Sequence, residues 1–351
     1  MFHLQVCWDQ TARTEWACNT LKNASLVGSS RAVKWIRMRC SLMSTPPWYT
    51  RRPHGTVPAG VAPGWANASN WLVKNITVNV IEADLTHPSV SAVPAVAAKR
   101  STAPLPGIAA QPGGSKLLAG INGGYFFRVD EGPHWTDDVC VGKTYSEALH
   151  NVSAAGRRSS SSDGIGDTLV KLNGNLLSRN CDNVGFSRPA ALVLDRGAAR
   201  VELLRRGQDL PATVSTVIAA SPRLVTSSGG GPPQVHIPAD DDNTGNIEEH
   251  AANTGAGLRD GGKTLVLVTV DGVDDCSMLN ATCGVNAVQL AFLMKDALAV
   301  DDAMQMDQGG STTMWVRGQP NGGVVSRNEW APRSIYSALF VAWSGVRSAE
   351  W

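Results

Sequence analysis

Charged side chains make up only 17% of this 351-residue chain, against roughly 25% in an average soluble protein. Together with abundant turn formers, that scarcity speaks against coiled coils and helical bundles. Neither sign of charge dominates: the net charge is +1, so no global field draws the chain to nucleic acid or to an anionic membrane surface. No run of 18 apolar residues occurs, so no helical membrane span is expected. Residues 1–30 also lack the apolar stretch of about 7–15 residues that marks a signal peptide. The cysteines never take the Cys-x-x-Cys spacing, no His-x-x-x-His accompanies them, and His134, His150, His236 and His250 stand singly, which leaves zinc without a ligand set. No 20–50-residue period appears, so repeat architectures are not indicated.

What is present is glycine (35), proline (19) and 43% apolar residues. That is enough apolar content for a real core, broken by many turns. The charge is unevenly placed. Residues 1–55 hold eight Lys/Arg against two acidic residues, a local net of +6, along with four tryptophans and three cysteines. They sustain neither helical nor strand periodicity, and Pro46–Gly64 is dense in proline and glycine. Residues 1–64 therefore read as a basic leader and linker of doubtful structure, and residues 65–351 as the single folded domain. Cys276 with Cys283, and Cys140 with Cys181, are possible disulfide pairs, with buried free thiols the alternative. Asn23, Asn67, Asn75, Asn151 and Asn280 are glycosylation acceptor sequences. Cysteine pairs and acceptor sites lean toward a secreted or cell-envelope setting.

Along the folded part, Trp71–Ile81 alternates as a strand, and residues 88–115 read as a loop with a short helix. Lys116–Ile121 is a short strand, and 128–166 a long polar loop. Thr168–Leu172, Asn173-Gly174 and Asn175–Leu177 carry the signal of a two-residue hairpin. Ala190–Leu194 and Ala199–Leu204 form a second hairpin. Further strands are expected at Thr213–Ala220, Lys263–Val270, Ala303–Met306 and Ser334–Trp343. One amphipathic helix follows Asn286, which can cap it. The expected fold is α+β: a mixed, mostly antiparallel sheet core with a few flanking helices. The acidic Asp240–Asp242 and Glu248–Glu249 lack the spaced oxygen ligands of a calcium loop and read as solvated.

Three segments share one design, an apolar strand stopping at a polar residue and a glycine turn. They are Gly120-Ile-Asn122-Gly123-Gly124-Tyr125-Phe, Leu267-Val-Thr-Val-Asp271-Gly, and Met304-Gln-Met-Asp307-Gln-Gly309-Gly310-Ser311-Thr312. Strand ends place side chains at the rim of a rigid sheet, and glycines let a ligand approach the backbone closely. Each alone also fits a plain tight turn.

Taken in order, Ile121-Asn-Gly-Gly-Tyr-Phe, Val270-Asp271-Gly272, the helix after it and Met306-Asp-Gln-Gly-Gly-Ser-Thr-Thr-Met resemble the phosphodiester glycosidase family. The closing Pro332-Arg333-Ser-Ile-Tyr-Ser-Ala-Leu-Phe-Val resembles it too, and Ser221-Pro222-Arg223-Leu-Val does so more loosely. The likeness covers about residues 72–343. It departs at Gln308, where the family pattern has glycine, and at Asn253, where it has arginine. The resemblance implies a hydrolase that cleaves the glycosidic bond of a sugar-1-phosphodiester, without cofactor or metal. Its substrate would be a carbohydrate or glycosyl phosphate, and no oligomeric state is implied. Such a bond has a leaving group whose second pKa is about 6, so the need for a strong general acid is relaxed. Asp307 would then be the catalytic carboxylate and Asp271 the second. Arg333 would clamp phosphate through its guanidinium fork, with Arg223 a weaker candidate. Asn122, Gly123, Gly124, Tyr125, Gly309, Gly310, Ser311 and Thr312 would contact sugar or phosphate. The alternatives are a non-catalytic carbohydrate-binding module on the same scaffold, or a glycosidase acting on a linkage without phosphate. A phosphodiesterase attacking phosphorus would need a metal cluster that the sequence does not display.

Overall fold

Period-two alternation is a property of strands with one wet face, and the central strands of this protein have none. Their runs are apolar on both sides because both faces are covered. The computed structural model describes residues 14–27, 30–43, 73, 75–97, 102–111, 116–128, 164–166, 168–178, 190–195, 197–203, 213–227, 231–235, 250–272, 284–326 and 333–344. Three antiparallel sheets pack around one core. The largest has eight strands in the order β1 (Trp16–Val27), β2 (Ser30–Leu42), β3 (Ile76–Asp84), β16 (Thr264–Val270), β15 (Asn253–Arg259), β17 (Asp302–Gln305), β13 (Arg223–Thr226) and β14 (Gln234–Val235). A five-stranded sheet runs β11 (Ala198–Leu203), β10 (Ala190–Asp195), β12 (Val217–Ala220), β8 (Val170–Leu172) and β9 (Asn175–Ser178). A four-stranded sheet runs β18 (Met314–Val316), β5 (Leu117–Asn122), β19 (Ser337–Trp343) and β4 (Val90–Val96), and β6 (Phe126–Arg128) pairs with β7 (Gly164–Gly166).

One face of the large sheet presents Ile81, Leu267, Ala256 and Met304 to Ile121 and Leu339 of the four-stranded sheet and to Leu192 and Ile218 of the five-stranded one. Its other face, with Val78, Val80, Val266 and Val268, is covered by the helix α2 (Ala287–Phe292). Asn286 caps that helix, its side chain accepting from the Gln289 N–H while the Gln289 side chain accepts from the Asn286 N–H. The helix continues as a π-turn over Leu293–Ala297. A shorter helix, α1 (Leu105–Ala109), closes the outer face of the four-stranded sheet over Phe340 and Trp315. The architecture is the expected α+β one, dominated by antiparallel strands. Asn173 and Gly174 both have positive φ, 49° and 83°, the geometry of the two-residue hairpin turn foreseen there.

Two expectations need correction. Val90–Val96, expected to be loop, is a strand paired along its full length with β19; Pro94 is tolerated because β4 lies at the sheet edge. The segment expected to be an irregular leader contains the hairpin β1–β2, and β2 pairs with β3 from Val33↔Ala83 to Cys40↔Ile76. Strand β2 hides its period because its apolar stripe changes faces midway. Val33 and Trp35 enter the core between the sheets, whereas Met38, Cys40 and Leu42 join the helix-covered side. Cys18 and Cys40 sit directly opposite one another in the hairpin and are disulfide-bonded. Cys140, Cys181, Cys276 and Cys283 lie outside the described residues, as do the acidic loop 240–249, the linker 46–64 and the acceptor residues Asn67, Asn151 and Asn280. Thr14, just before the hairpin, donates from both its N–H and its Oγ1 to Asp296 Oδ2, whose Oδ1 accepts from Lys295. The basic segment is thereby anchored to the π-turn. Cys18→Ser with Cys40→Ser, which opens a 22-residue loop, is expected to lower stability by about 3 kcal/mol, read as a drop in the urea midpoint relative to the oxidised chain.

Candidate active site

The three glycine-turn segments meet. Strands β16 and β17 flank β15 antiparallel on either side, so both run the same way and end on the same edge. Strand β5 arrives from the facing sheet and ends there too. Asn122, its last residue, is fully buried and joins the two sheets. Its Oδ1 accepts from Thr254 Oγ1 (2.7 Å) and from the Thr313 N–H (3.0 Å), and its Nδ2 donates to the Asp307 carbonyl (2.8 Å). The Asp307 N–H in turn donates to the Gly123 carbonyl (3.0 Å), and the Gly123 N–H to the Ser337 carbonyl (2.7 Å). Asn122 thus has its amide used within the protein and positions Asp307.

Glycine is required at 123 and 124 by proximity. A Cβ on Gly123 would lie 2.3 Å from Ser337 Oγ, and one on Gly124 would lie 2.6 Å from the Ala219 carbonyl and from Thr168 Cγ2. All three sheets therefore touch at this turn. Tyr125 follows, buried, and Phe126 beside it receives the Arg333 guanidinium at 5.7 Å from the ring centroid, within the range of a cation–π contact.

Asp307 is half-buried, and its Oδ1 accepts from the Gln308 N–H (2.9 Å). Gln308 lies at φ −115° and ψ −173°, an extended conformation open to any residue. The left-handed position falls one residue later, on Gly309 at φ 61°. Glutamine in place of the family's glycine therefore carries no backbone strain. Its side chain is held: Gln308 Oε1 accepts from Gln305 Nε2 (2.8 Å), which also donates to Asn253 Oδ1, and Asn253 Nδ2 donates to the Val285 carbonyl (2.7 Å). The two departures from the family pattern, at 253 and 308, are thus two ends of one buried amide chain. Gly309 adds an N–H bond to the Ala252 carbonyl (2.8 Å).

Asp271, 7% exposed, is held at its N–H by the Thr77 carbonyl (2.9 Å), and its Oδ1 accepts from Asn79 Nδ2 (3.3 Å). Asn79 faces Thr269 across the strands, and Thr269 faces Thr254, so an in-register polar row leads from Asp271 toward Asn122 and Asp307. Sequence reasoning missed Asn79, Thr254 and Thr269. Their signal was a polar residue at an inward position of an otherwise apolar strand. Ser311 and Ser337 are fully or nearly fully buried, their hydroxyls lacking a hydrogen-bond partner among the described residues, and Thr312 is buried beside Ser311; Gly310 is buried on the same turn. Such orphaned hydroxyls are what a polar ligand would satisfy. Arg223 is engaged elsewhere, its Nη2 2.5 Å from Asp302 Oδ1, at the start of β17 and roughly 16 Å of extended chain before Asp307. Among the described residues, no group of three His, Cys, Asp or Glu side chains gathers as a metal site, and no helix is long and apolar enough to cross a membrane.

The α+β framework of antiparallel sheets is shared with solved structures. The fold resembles the catalytic domain of zebrafish N-acetylglucosamine-1-phosphodiester α-N-acetylglucosaminidase, a structure auto-inhibited by its pro-peptide, with TM-score 0.54 and 17% identity over 93% of this chain and 88% of that one. It also resembles a hypothetical protein from Synechocystis (TM-score 0.52, 11% identity, 95% of this chain and 68% of that one) and a protein from Burkholderia pseudomallei K96243 described as exported (TM-score 0.53, 12% identity, 94% and 97%). No match is found among curated protein sequences. The chain belongs to the phosphodiester glycosidase family, whose sequence model matches residues 115–342.

Because Asn122 satisfies three buried groups at once, Asn122→Ala is expected to lower stability by roughly 2–4 kcal/mol, measured by urea unfolding. Gln305→Met, which removes the two hydrogen bonds Gln305 donates within the amide chain, should speed hydrogen exchange at the Gln308 and Gly309 amides while leaving β5 protected; unchanged exchange there would show that the chain does not hold the turn.

Proposed function

We propose that this protein hydrolyses the glycosidic bond of a sugar-1-phosphodiester, releasing the free sugar and a phosphomonoester. The observation that carries the reading is the placement of the Asp307 carboxylate. It stands at the meeting point of three sheets, on a turn held by Asn122, Gly123 and Gln308, within the segment that matches the family. A carboxylate fixed at that point serves as base to an attacking water or as nucleophile at the anomeric carbon. The electron pair of the breaking C–O bond leaves on a phosphate oxygen. Because that oxygen belongs to an acidic group, departure needs little proton assistance. Asp271 is the second carboxylate of the site, and Arg333 beside Phe126 is the phosphate clamp. The hydroxyls of Ser311 and Thr312, the Gly309–Gly310 backbone and Tyr125 take the sugar hydroxyls.

The setting is exported or extracytoplasmic. Support comes from the Cys18–Cys40 disulfide, which persists where thiols are oxidised, and from the relative described as exported. Asn23 and Asn75 are the glycosylation acceptors within the described residues, and both side chains are exposed. The rival reading, a carbohydrate-binding module without turnover, is motivated by Asn253 and Gln308. The unstrained backbone at Gln308 removes part of its basis.

Asp307→Asn is expected to reduce sugar release from a glycosyl phosphodiester by about 10²–10⁴-fold in kcat with the urea midpoint unchanged. In water enriched in oxygen-18 the label should enter the sugar. Label in the phosphate would assign a phosphodiesterase instead, and sugar binding without any turnover would favour the non-catalytic module.

A further inference from the structure

The hairpin β1–β2 lies outside the segment that matches the family, yet its register carries it to the site. Arg37 pairs with Asn79, Asn79 with Thr269 and Thr269 with Thr254. Residues directly opposite in neighbouring strands point to the same face. Arg37 therefore begins the polar row that ends on Asn122. In β2 this face carries Val33 and Trp35 into the core between the sheets, and Arg37 is the next residue on it. One step further, Arg39 stands opposite Thr77, whose carbonyl accepts from the Asp271 N–H.

Three consecutive members of this row each keep a buried polar atom without a hydrogen-bond partner among the described residues: Arg37 Nε, Asn79 Oδ1 and Thr269 Oγ1. Asn79 and Thr269 are fully buried and Arg37 is half-buried. Among the described residues the Arg37 side chain has no hydrogen bond or ion pair, unlike Arg223 on Asp302, Arg259 on Glu82 and Arg200 on Asp195. A guanidinium that is partly desolvated and unpaired costs stability. Its planar fork of donors matches the oxygens of a phosphate. Asn79 Oδ1 and Thr269 Oγ1, the neighbouring acceptors, match hydroxyl donors of a sugar. A ligand carrying both groups would satisfy the whole row.

We propose that Arg37 is a substrate-binding residue that holds the anionic phosphodiester group from the N-terminal hairpin, supplying a cation to a site whose position 253 holds a neutral asparagine. The inference rests on the functional reading given above and assigns it a residue. The hairpin is then part of the binding site rather than a leader to it, and its anchoring through Thr14 to Asp296 keeps that residue in place.

The test compares the wild-type chain with Arg37→Met and Arg37→Lys. For Arg37→Met, the dissociation constant for inorganic phosphate, measured by calorimetry, should rise about tenfold or more. KM for an aryl glycosyl phosphodiester should rise similarly. KM for the matching neutral aryl glycoside should stay within twofold, and Arg37→Lys should recover part of the loss. The urea midpoint should hold or increase, because a desolvated unpaired donor is removed. Unchanged phosphate binding, equal effects on charged and neutral substrates, a lowered midpoint in both variants, or a wild-type chain that binds no phosphate would each overturn the proposal. If the wild-type chain binds phosphate but turns over no glycosyl phosphodiester, the functional reading fails by itself. Calorimetry on Arg37→Met then decides the residue's role, weaker binding supporting it and equal binding refuting it.

Discussion

One carboxamide ties the molecule to its site. Asn122 stands where a strand of the small sheet runs against the large one, and each of its polar atoms is committed: Thr254 and the Thr313 amide on one side, the Asp307 carbonyl on the other. A buried amide with both ends satisfied is rigid, and a buried amide with one end unsatisfied is costly. The two sheets cannot slide without breaking it. The turn that bears Asp307 cannot reorient without breaking it either. Packing of the inter-sheet core and the geometry of the candidate carboxylate therefore depend on the same contact.

Around that contact the protein uses two different kinds of precision. On the inner side, glycines at 123 and 124 bring backbone against Ser337, Ala219 and Thr168 at distances no side chain would allow. On the helix side, the amides of Asn253, Gln305 and Gln308 form a chain that reaches the peptide next to Asp307. The peptide between Asp307 and Gln308 is the shared element. Its carbonyl takes the Asn122 amide, and its N–H holds the Asp307 carboxylate. Two residues that look like defects against the family pattern are better understood as one local solution. A side chain at 308 fills room that glycine would leave open, and asparagine at 253 is of a size and polarity to meet it through Gln305.

The polar row across β2, β3, β16 and β15 is the complement of this arrangement. Alongside the bonded backbone of the turn, the row keeps unpaired atoms on Arg37, Asn79 and Thr269 among the described residues. Native cores rarely leave such atoms, and their concentration in neighbouring residues beside Asp271 marks the face at which polar contacts are still to be made.

Local chemistry made much of this legible from sequence alone. The Asn173-Gly174 hairpin, the Asn286-capped helix and the apolar strand Lys263–Val270 follow from turn preference, capping and β-branched runs, which act over a few residues. The strand-end motifs at Asn122, Asp271 and Asp307 were visible for the same reason. Tertiary structure alone decided what depends on register and on facing partners. It placed Arg37 beside Asn79, paired Cys18 with Cys40, made Asn122 a bridge between two sheets, and engaged Arg223 with Asp302. The hairpin of residues 16–42 escaped a linear reading because its apolar stripe crosses from one face to the other, and only a sheet buried on both sides gives that pattern a meaning.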